Sequence, residues 1–172
     1  MDAMTNLTTR RSVRAYKTDP IPSDVLDRIL TAGTYAATGM NKQSPIILAV
    51  TNREMRDRLS KLNAAVMNSD KDPFYGAPYV LVVLADRAVR THVYDGSLVM
   101  GNLMNAAHAE GVASCWIHRA KEVFDSPEGK QILSDLGIEG DYEGVGNLIL
   151  GYADGELPPV RPRKENYIYL ID

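Results

Sequence analysis

The sequence is poor in the residues that build disulfides and zinc sites. Cys115 is its only cysteine and it has three histidines, which excludes an intramolecular disulfide and argues against a Cys/His zinc site. Positive charge is not in excess either, since 19 Lys and Arg face 22 Asp and Glu for a net charge of −3. Broad nucleic-acid binding needs a basic face, so we expect no nucleic-acid partner. This balance still allows a local basic pocket for a small anion.

Long apolar runs are also missing. No stretch is apolar for long enough to span a bilayer, and residues 1–11 lack the apolar core of a signal peptide. The phosphate-binding glycine loop, the metalloprotease helix and the nucleophile elbow do not occur either. These absences favour a protein of the reducing cytoplasm with no membrane partner.

The composition that remains is that of one domain over residues 1–172. Hydrophobic residues make up 45% of the chain and charged residues 24%, an ordinary balance for a globular protein. Apolar residues at helical spacing, with capping residues before them, predict four helices. These are expected from an N-cap at Ser23 to about Ala36, from a cap at Asn52 to about Met67, over Asp95–Glu110, and from a Ser126-Pro127 cap to Leu136.

Short apolar runs between the helices predict buried strands. The strands are expected at Ile46–Val50, Tyr79–Leu84, Val112–Ile117 and Val145–Leu150. The polar segment 5–16 and the loop 39–45 are predicted to be irregular, and the proline-containing tail 158–172 to be extended.

The predicted helix at Asp95–Glu110 is apolar around most of its circumference. Its polar remainder is a narrow strip near Gly101, Asn105 and His108. Such a helix must be covered on several sides. Either it lies at the centre of a monomer's core, or a subunit interface covers its second side.

Two basic clusters lie in polar, irregular segments. Arg10, Arg11 and Arg14 surround Ser12 near the N-terminus, and the tail contains Arg161, Arg163 and Lys164. Arginine forks and a serine hydroxyl suit phosphate oxygens. Either cluster alone is typical of a solvated surface, but together they are able to clamp one phosphate.

A polar loop from Thr38 to Gln43 precedes the first predicted strand. The amides of Asn41 and Gln43 suit the donor and acceptor edge of a heterocycle, although ordinary turn chemistry explains them as well. Cys115 lies within an apolar strand and is interpreted as a buried structural thiol. His118 follows that strand, where it either lines a pocket or lies on the surface.

Five motifs, taken in chain order, resemble those of the FMN-dependent nitroreductase family. Each is weak alone, but five in this order cover essentially the whole chain and are quite specific. The motifs are Arg10–Tyr16 (RRSVRAY), Ala36–Gln43 (AATGMNKQ), Phe74–Pro78 (FYGAP), Asn102-Leu103 with Gly111–Ile117 (GVASCWI), and Leu148–Tyr152 (LILGY) with Arg161-Pro162-Arg163.

The resemblance implies an α+β fold, in which a mixed central sheet is flanked by helices in an intertwined homodimer. It implies two FMN sites per dimer, each built from both subunits. It also assigns the apolar helix at Asp95–Glu110 to the dimer core.

The resemblance also implies which residues bind the cofactor. Arg10, Ser12 and Arg163 would hold the FMN phosphate, assisted by Arg161 or Arg11. Arg14 would lie near the N1 and O2 edge of the flavin and support its reduced form. The partner subunit would contribute its 38–43 loop, through Thr38, Gly39, Asn41 and Gln43. Backbone groups would pass the N5 side of the flavin, and they belong to Trp116, Ile117, His118 and Arg119.

Two departures from the family pattern are visible. Ser44-Pro45 follows the Asn-x-Gln motif, where the family often has Pro-Trp. Arg119 stands where many relatives have glycine. The backbone beside N5 is therefore expected to differ from that of the family, and the arginine adds positive charge near the substrate space.

The function implied by the resemblance is electron transfer by FMN. NAD(P)H is the expected co-substrate, and a nitroaromatic, quinone or similar small molecule is the expected electron acceptor, with ping-pong kinetics. Solvent supplies protons, so no catalytic side chain is predicted. The alternative is an FMN-binding protein for flavin storage or redox sensing with little turnover.

Overall fold

The fold is built on a sheet of four strands, β1 (Pro45–Val50), β2 (Tyr79–Asp86), β3 (Ala113–Ile117) and β4 (Tyr142–Gly151). The computed structural model describes residues 1–171, and the strands lie in the order β1-β2-β4-β3 with every pairing between them antiparallel. A mixed sheet was expected. Within those residues, the one parallel pairing is an isolated bridge between Ser12 and Ser114 at the outer edge of β3.

Helices cover both faces of this sheet, which confirms the predicted α+β class. The helices are α1 (Ala3–Thr9), α2 (Ser23–Thr34), α3 (Arg53–Val66), α4 (His92–Ala109), α5 (Ala120–Asp125) and α6 (Pro127–Asp135). Helices α2 and α4 pack on one face, and α3, α5 and α6 pack on the other. No helix among residues 1–171 combines the length and the apolar character that crossing a membrane requires.

Strand β2 lies at the centre of the core and is buried on both faces. Val80, Val82 and Leu84 point towards α3, α5 and α6, whereas Leu81 and Val83 point towards α2 and α4. A strand covered on both sides is apolar throughout instead of alternating, which explains why its sequence is one continuous apolar run.

The predicted strands and helices are all present, with ends shifted by a few residues. The side chain of Asn52 accepts a hydrogen bond from the Met55 amide, and that of Ser126 accepts one from the Gly129 amide, so both predicted caps are confirmed. The cap predicted at Ser23 is wrong. Pro22 occupies the N-cap position, and Ser23 is the first helical residue.

Two short helices were not predicted. Helix α1 buries no side chain, so its sequence carries no apolar period, and the segment 5–16 is helical in its first part instead of irregular. The second, α5, has only six residues, although Ala120, Val123 and Phe124 bury one face of it. Helix α4 begins at His92, three residues before the predicted start.

Helix α4 is only partly covered by its own chain. Val99, Met100 and Leu103 are buried against the sheet and α2, but Tyr94 is 74% exposed and Leu98 is 52% exposed. The core of one monomer therefore does not surround this helix.

The C-terminal tail runs over the surface without regular structure. Residues 156–171 form no helix or strand and are exposed. Their large apolar side chains lie in the open and are Leu157, Val160, Tyr167, Ile168, Tyr169, Leu170 and Ile171. At the opposite edge of the sheet from β3, no strand within residues 1–171 pairs with the outer side of β1.

Candidate functional site

The N-terminal basic segment lies along the outer edge of β3. The Val13 amide donates to the Ser114 carbonyl at 3.1 Å, and Ser12 forms the parallel bridge to Ser114. This pairing places Arg10 and Arg11 beside a cavity of about 210 Å³.

Two residues that line this cavity each have a buried donor with no partner within the described residues. The donors are one terminal guanidinium nitrogen (Nη1) of Arg10 and the hydroxyl of Ser114. A buried polar group without a hydrogen bond costs about 1–3 kcal/mol, so the pair is suited to an acceptor supplied from outside the chain.

The electrostatic field in this cavity is positive. Burial, followed by the charges of Arg10 and Arg11, lowers the pKa of His108, which lines the same cavity. Burial, the larger cause, disfavours any charge, but the two guanidinium charges favour an anion at that place.

Ser114 was not predicted as a site residue. The sequence signal for it was a hydroxyl inside an apolar strand.

A second cavity, of about 300 Å³, collects the other predicted residues of this half of the site. Arg14 and the four residues from Trp116 to Arg119 all line it. They come together because β3 ends at Ile117 and the chain turns sharply into α5. The turn leaves the side chain of His118 exposed and that of Arg119 partly buried.

Arg119 adopts a backbone conformation that glycine would favour. Its φ is 77° and its ψ is 13°, in the left-handed region. Arg119 therefore differs from the glycine of the family pattern in its side chain, but its backbone has the conformation that glycine adopts easily. For arginine this conformation costs on the order of 1 kcal/mol.

Two buried amides fix this turn. The Asn63 side chain donates to the His118 carbonyl at 2.8 Å, and the Asn147 side chain reaches the Ile117 and His118 carbonyls at 3.5 and 3.4 Å. Neither asparagine was predicted. The signal was present, since Asn63 lies on the apolar face of α3 and Asn147 interrupts an apolar strand, and buried polar groups are usually there to bond.

Trp116 shapes the floor of the second cavity from the core side. A Cβ atom at Gly146 would overlap the indole nitrogen, so glycine leaves the room that the ring occupies beside β4.

The wall opposite this turn depends on Asp72. One of its carboxylate oxygens accepts from the Ser60 hydroxyl and the Phe74 amide, and the other accepts from the Arg56 guanidinium at 2.6 Å and the Gly76 amide. Burial is the largest single influence and raises the pKa of Asp72, but the hydrogen bonds from Arg56, Ser60 and the backbone lower it overall. Asp72 is therefore a fixed negative charge that is balanced by buried Arg56.

The 38–43 loop lies at a different place. The buried carboxylate of Asp95 accepts from the Gly39 amide and from the hydroxyls of Ser44 and Thr91. Asp95 lies near the start of α4 and His108 near its end, which separates them by about 20 Å along the helix. One chain therefore does not bring this loop together with Arg10.

Within the loop, the predicted residues support one another. The Thr38 hydroxyl accepts from the Gln43 amide, and the Gln43 side chain donates to the Asn41 side chain at 3.1 Å. Asn41 and Gln43 have φ values of 54° and 48°. The amide heads are exposed, so they are available to a group outside the chain.

The tail arginines also remain apart from the N-terminal ones. Arg161 and Arg163 are exposed, and no hydrogen bond or ion pair of theirs is found within residues 1–171. Only Leu157 of the tail lines the Arg10 cavity. A clamp from both basic clusters on one phosphate thus does not form within a single chain.

A comparison with known protein families shows to which family this chain belongs. The profile of the Nitroreductase family matches residues 7–74 and 63–152, which together contain the second cavity, most of the lining of the first, the 38–43 loop and the whole sheet. The chain belongs to the nitroreductase family.

Individual relatives agree with this assignment. A crystal structure from Bacteroides fragilis, described as a nitroreductase with bound FMN, is 29% identical, and the alignment covers 100% of both chains with a TM-score of 0.90. A Methanothermobacter thermautotrophicus protein named "Putative NADH dehydrogenase/NAD(P)H nitroreductase" is 27% identical over 67% of this chain. An Archaeoglobus fulgidus protein of the same name is 28% identical over 92% of this chain. The alignments span 60% of the first of these relatives and 95% of the second.

The left-handed conformation of Arg119 gives a stability prediction for this nitroreductase-family chain. Arg119→Gly should unfold at higher urea concentration than Arg119→Ala, by about 1 kcal/mol, because both variants remove the side chain but only glycine relieves the backbone. Urea titrations at equal protein concentration measure this difference. Equal stability of the two variants would show that the turn does not hold position 119 in the left-handed region.

Proposed function

We propose that this protein is an FMN-dependent oxidoreductase that uses NAD(P)H to reduce small acceptors such as quinones and nitroaromatics. The observation that carries the proposal is the pair of buried, unpartnered donors of Arg10 and Ser114 in a positive cavity. FMN, when bound, supplies the two-electron chemistry of a ping-pong cycle. In the overall reaction NAD(P)H and one proton convert a quinone to a hydroquinone and leave NAD(P)⁺.

The residues of the first cavity fit the phosphate of FMN. Arg10 and Ser114 each offer a free donor, Arg11 adds charge, and Ser12 lies between them on the bridge to β3. Charge-assisted hydrogen bonds from guanidinium to phosphate are among the strongest that proteins form. We assign phosphate binding to this group, with Arg161 or Arg163 joining from a tail.

The second cavity fits the ring system and the acceptor. Arg14 lines it, and its charge would stabilise negative charge on the N1 and O2 edge. The turn from Trp116 to Arg119, held by Asn63 and Asn147, lines it as well. This chain offers no acid or base that must act in the reaction, because solvent is able to deliver the protons.

A homodimer with shared sites completes this arrangement. The 38–43 loop and Arg10 lie about 20 Å apart on one chain, so a second copy has to supply the loop. The exposed apolar side of α4, with Tyr94 and Leu98, is the surface that such a copy would bury.

The tail and the free edge of β1 support the same dimer. Cavities of about 710 and 420 Å³ lie on the two sides of β1, and Ile47 and Ala49 line both. An open strand edge flanked by apolar space is a template for an added strand. The apolar tail residues 167–171 of a partner would cover it, and this path would also carry Arg161 and Arg163 away from their own chain.

The names of the relatives favour turnover over storage of flavin. The archaeal proteins are named as a dehydrogenase or reductase, and the Bacteroides fragilis protein as a nitroreductase. We therefore propose an enzyme, and place it in the cytoplasm because Cys115 is a free, buried thiol.

The different roles of Arg10 and Arg14 give a test by redox titration. Arg10→Ala should weaken oxidised and reduced FMN about equally and leave the potential unchanged, because the phosphate charge is the same in both forms. Arg14→Ala should lower the potential by tens of millivolts, since about 1.4 kcal/mol corresponds to about 30 mV for two electrons. Arg90→Ala, which removes an exposed arginine outside both cavities, is the matched control. The assignment is reversed if Arg10→Ala lowers the potential and Arg14→Ala does not.

The dimer is tested on the exposed side of α4. Leu98→Glu should give a monomer in sedimentation velocity and release FMN, because an unpaired charge in a buried interface costs several kcal/mol. Leu103 is unsuitable, since it packs in the core of its own chain. Ser134→Glu places the same charge on the exposed side of α6 and should leave a dimer with bound FMN. A Leu98→Glu protein that remains a flavin-loaded dimer would contradict the shared interface.

A further inference from the structure

Cations and aromatic rings dominate the lining of the 300 Å³ cavity. The cations are Arg14, Lys71 and Arg119, and the rings include those of Tyr75 and Trp116. Within the residues that the structure describes, none of the three cations forms an ion pair. Their charges are therefore available to a ligand.

The one acidic residue of the cavity does not cancel this charge. Both oxygens of Asp72 are occupied by hydrogen bonds, and the 2.6 Å bond from Arg56 offsets its negative charge from the core side. The guanidinium of Arg56 is itself buried and also bonds the Ala77 carbonyl. Arg56 also pairs with Asp57 at 3.0 Å, so it offsets Asp72 in part. Lys71 and Arg119 therefore leave the cavity with a net positive charge even when Arg14 is assigned to the flavin.

Asp72 also fixes an aromatic ring at the cavity. It accepts the amides of Phe74 and Gly76, on either side of Tyr75, whose φ of 51° turns its side chain away from the core. The guanidinium carbon of Arg14 lies 5.9 Å from the centre of the Tyr75 ring. The loop therefore presents a flat face beside the cations, which suits another aromatic ring.

We infer that the acceptor reduced at this site is an aromatic anion, with Lys71 and Arg119 binding its carboxylate and Tyr75 contacting its ring. This inference rests on the proposed function, which places the flavin beside Arg14 and the 116–119 turn. Two cations and one ring face among the lining residues match an acid with a single aromatic ring, because the cations suit its carboxylate and Tyr75 suits its ring.

A pair of nearly isosteric acceptors tests the inference on the FMN-loaded protein. We expect kcat/KM with NADH to be about tenfold higher for 4-nitrobenzoate than for neutral 4-nitrobenzamide at low salt, mainly through KM. The preference should shrink at high ionic strength, because partly exposed charges are screened. Lys71→Gln and Arg119→Gln should each reduce the preference several-fold, and Lys71→Gln should leave 4-nitrobenzamide reduction near its original rate.

Matched controls remove the same charges outside the cavity. Lys61→Gln and Arg58→Gln change exposed residues of α3 that do not line it, and both should keep the full preference for the anion. Binding without turnover gives a second measurement. By calorimetry, benzoate should bind the oxidised holoprotein about tenfold more tightly than benzamide, and this difference should shrink in the two cavity variants.

The outcomes separate this inference from the proposed function. Equal kcat/KM and equal binding for the charged and neutral ligands would overturn the acceptor class while leaving an FMN reductase. If the cavity variants change discrimination between NADPH and NADH but not between the two acceptors, the cations bind the dinucleotide and the inference is wrong. A protein that takes up no FMN would overturn both.

Discussion

Helix α4 sets the distance between two groups of residues that the proposed chemistry needs in one place. Asp95 near its start accepts a hydrogen bond from the Gly39 amide of the 38–43 loop and one from the hydroxyl of Ser44 just after the loop, and His108 near its end lines the same cavity as Arg10. A straight helix keeps them about 20 Å apart. In the proposed homodimer, a second chain would bring its loop to the first chain's arginines. Such a dimer would also cover the exposed apolar side of α4 and the open edge of β1.

Buried polar groups position the part of the site that one chain does contain. Asn63 and Asn147 hold the turn after β3, and Asp72 with Arg56 holds the loop that carries Tyr75. Removing one partner of such a pair leaves a buried group unpaired and costs more than the bond itself contributes. Arg10 and Ser114 each keep a buried donor without a partner within residues 1–171, as Asn63 keeps an unpartnered oxygen. Arg10 and Ser114 differ from Asn63 in that both line the basic cavity, where a ligand anion would meet their donors.

Much of the fold followed from local sequence patterns. The apolar runs of the four strands and the caps at Asn52 and Ser126 act within a few residues, so periodicity and capping residues predicted them. Helix α1 escaped prediction because it buries nothing, and α5 because six residues are too few to show a period. The assignment of site residues came from the family resemblance more than from local chemistry, and their contacts with a cofactor remain predictions.

What the sequence could not show was the long-range partnership of polar residues. Asp72 and Arg56 are separated along the chain by a helix and a loop, and nothing in either segment indicates that the two side chains meet. At Arg119 the sequence carried a signal, but it could not show the structural outcome. The family pattern indicated an unusual residue there, but only the backbone φ of 77° shows that the turn keeps its shape.

The central claim is a homodimer with one shared FMN site per subunit, and native mass spectrometry of the purified protein tests it directly. We predict a species of two chains that carries two FMN molecules, and loss of both flavins when the dimer dissociates. A monomer that retains FMN, or a dimer that binds none after incubation with excess FMN, would contradict the account.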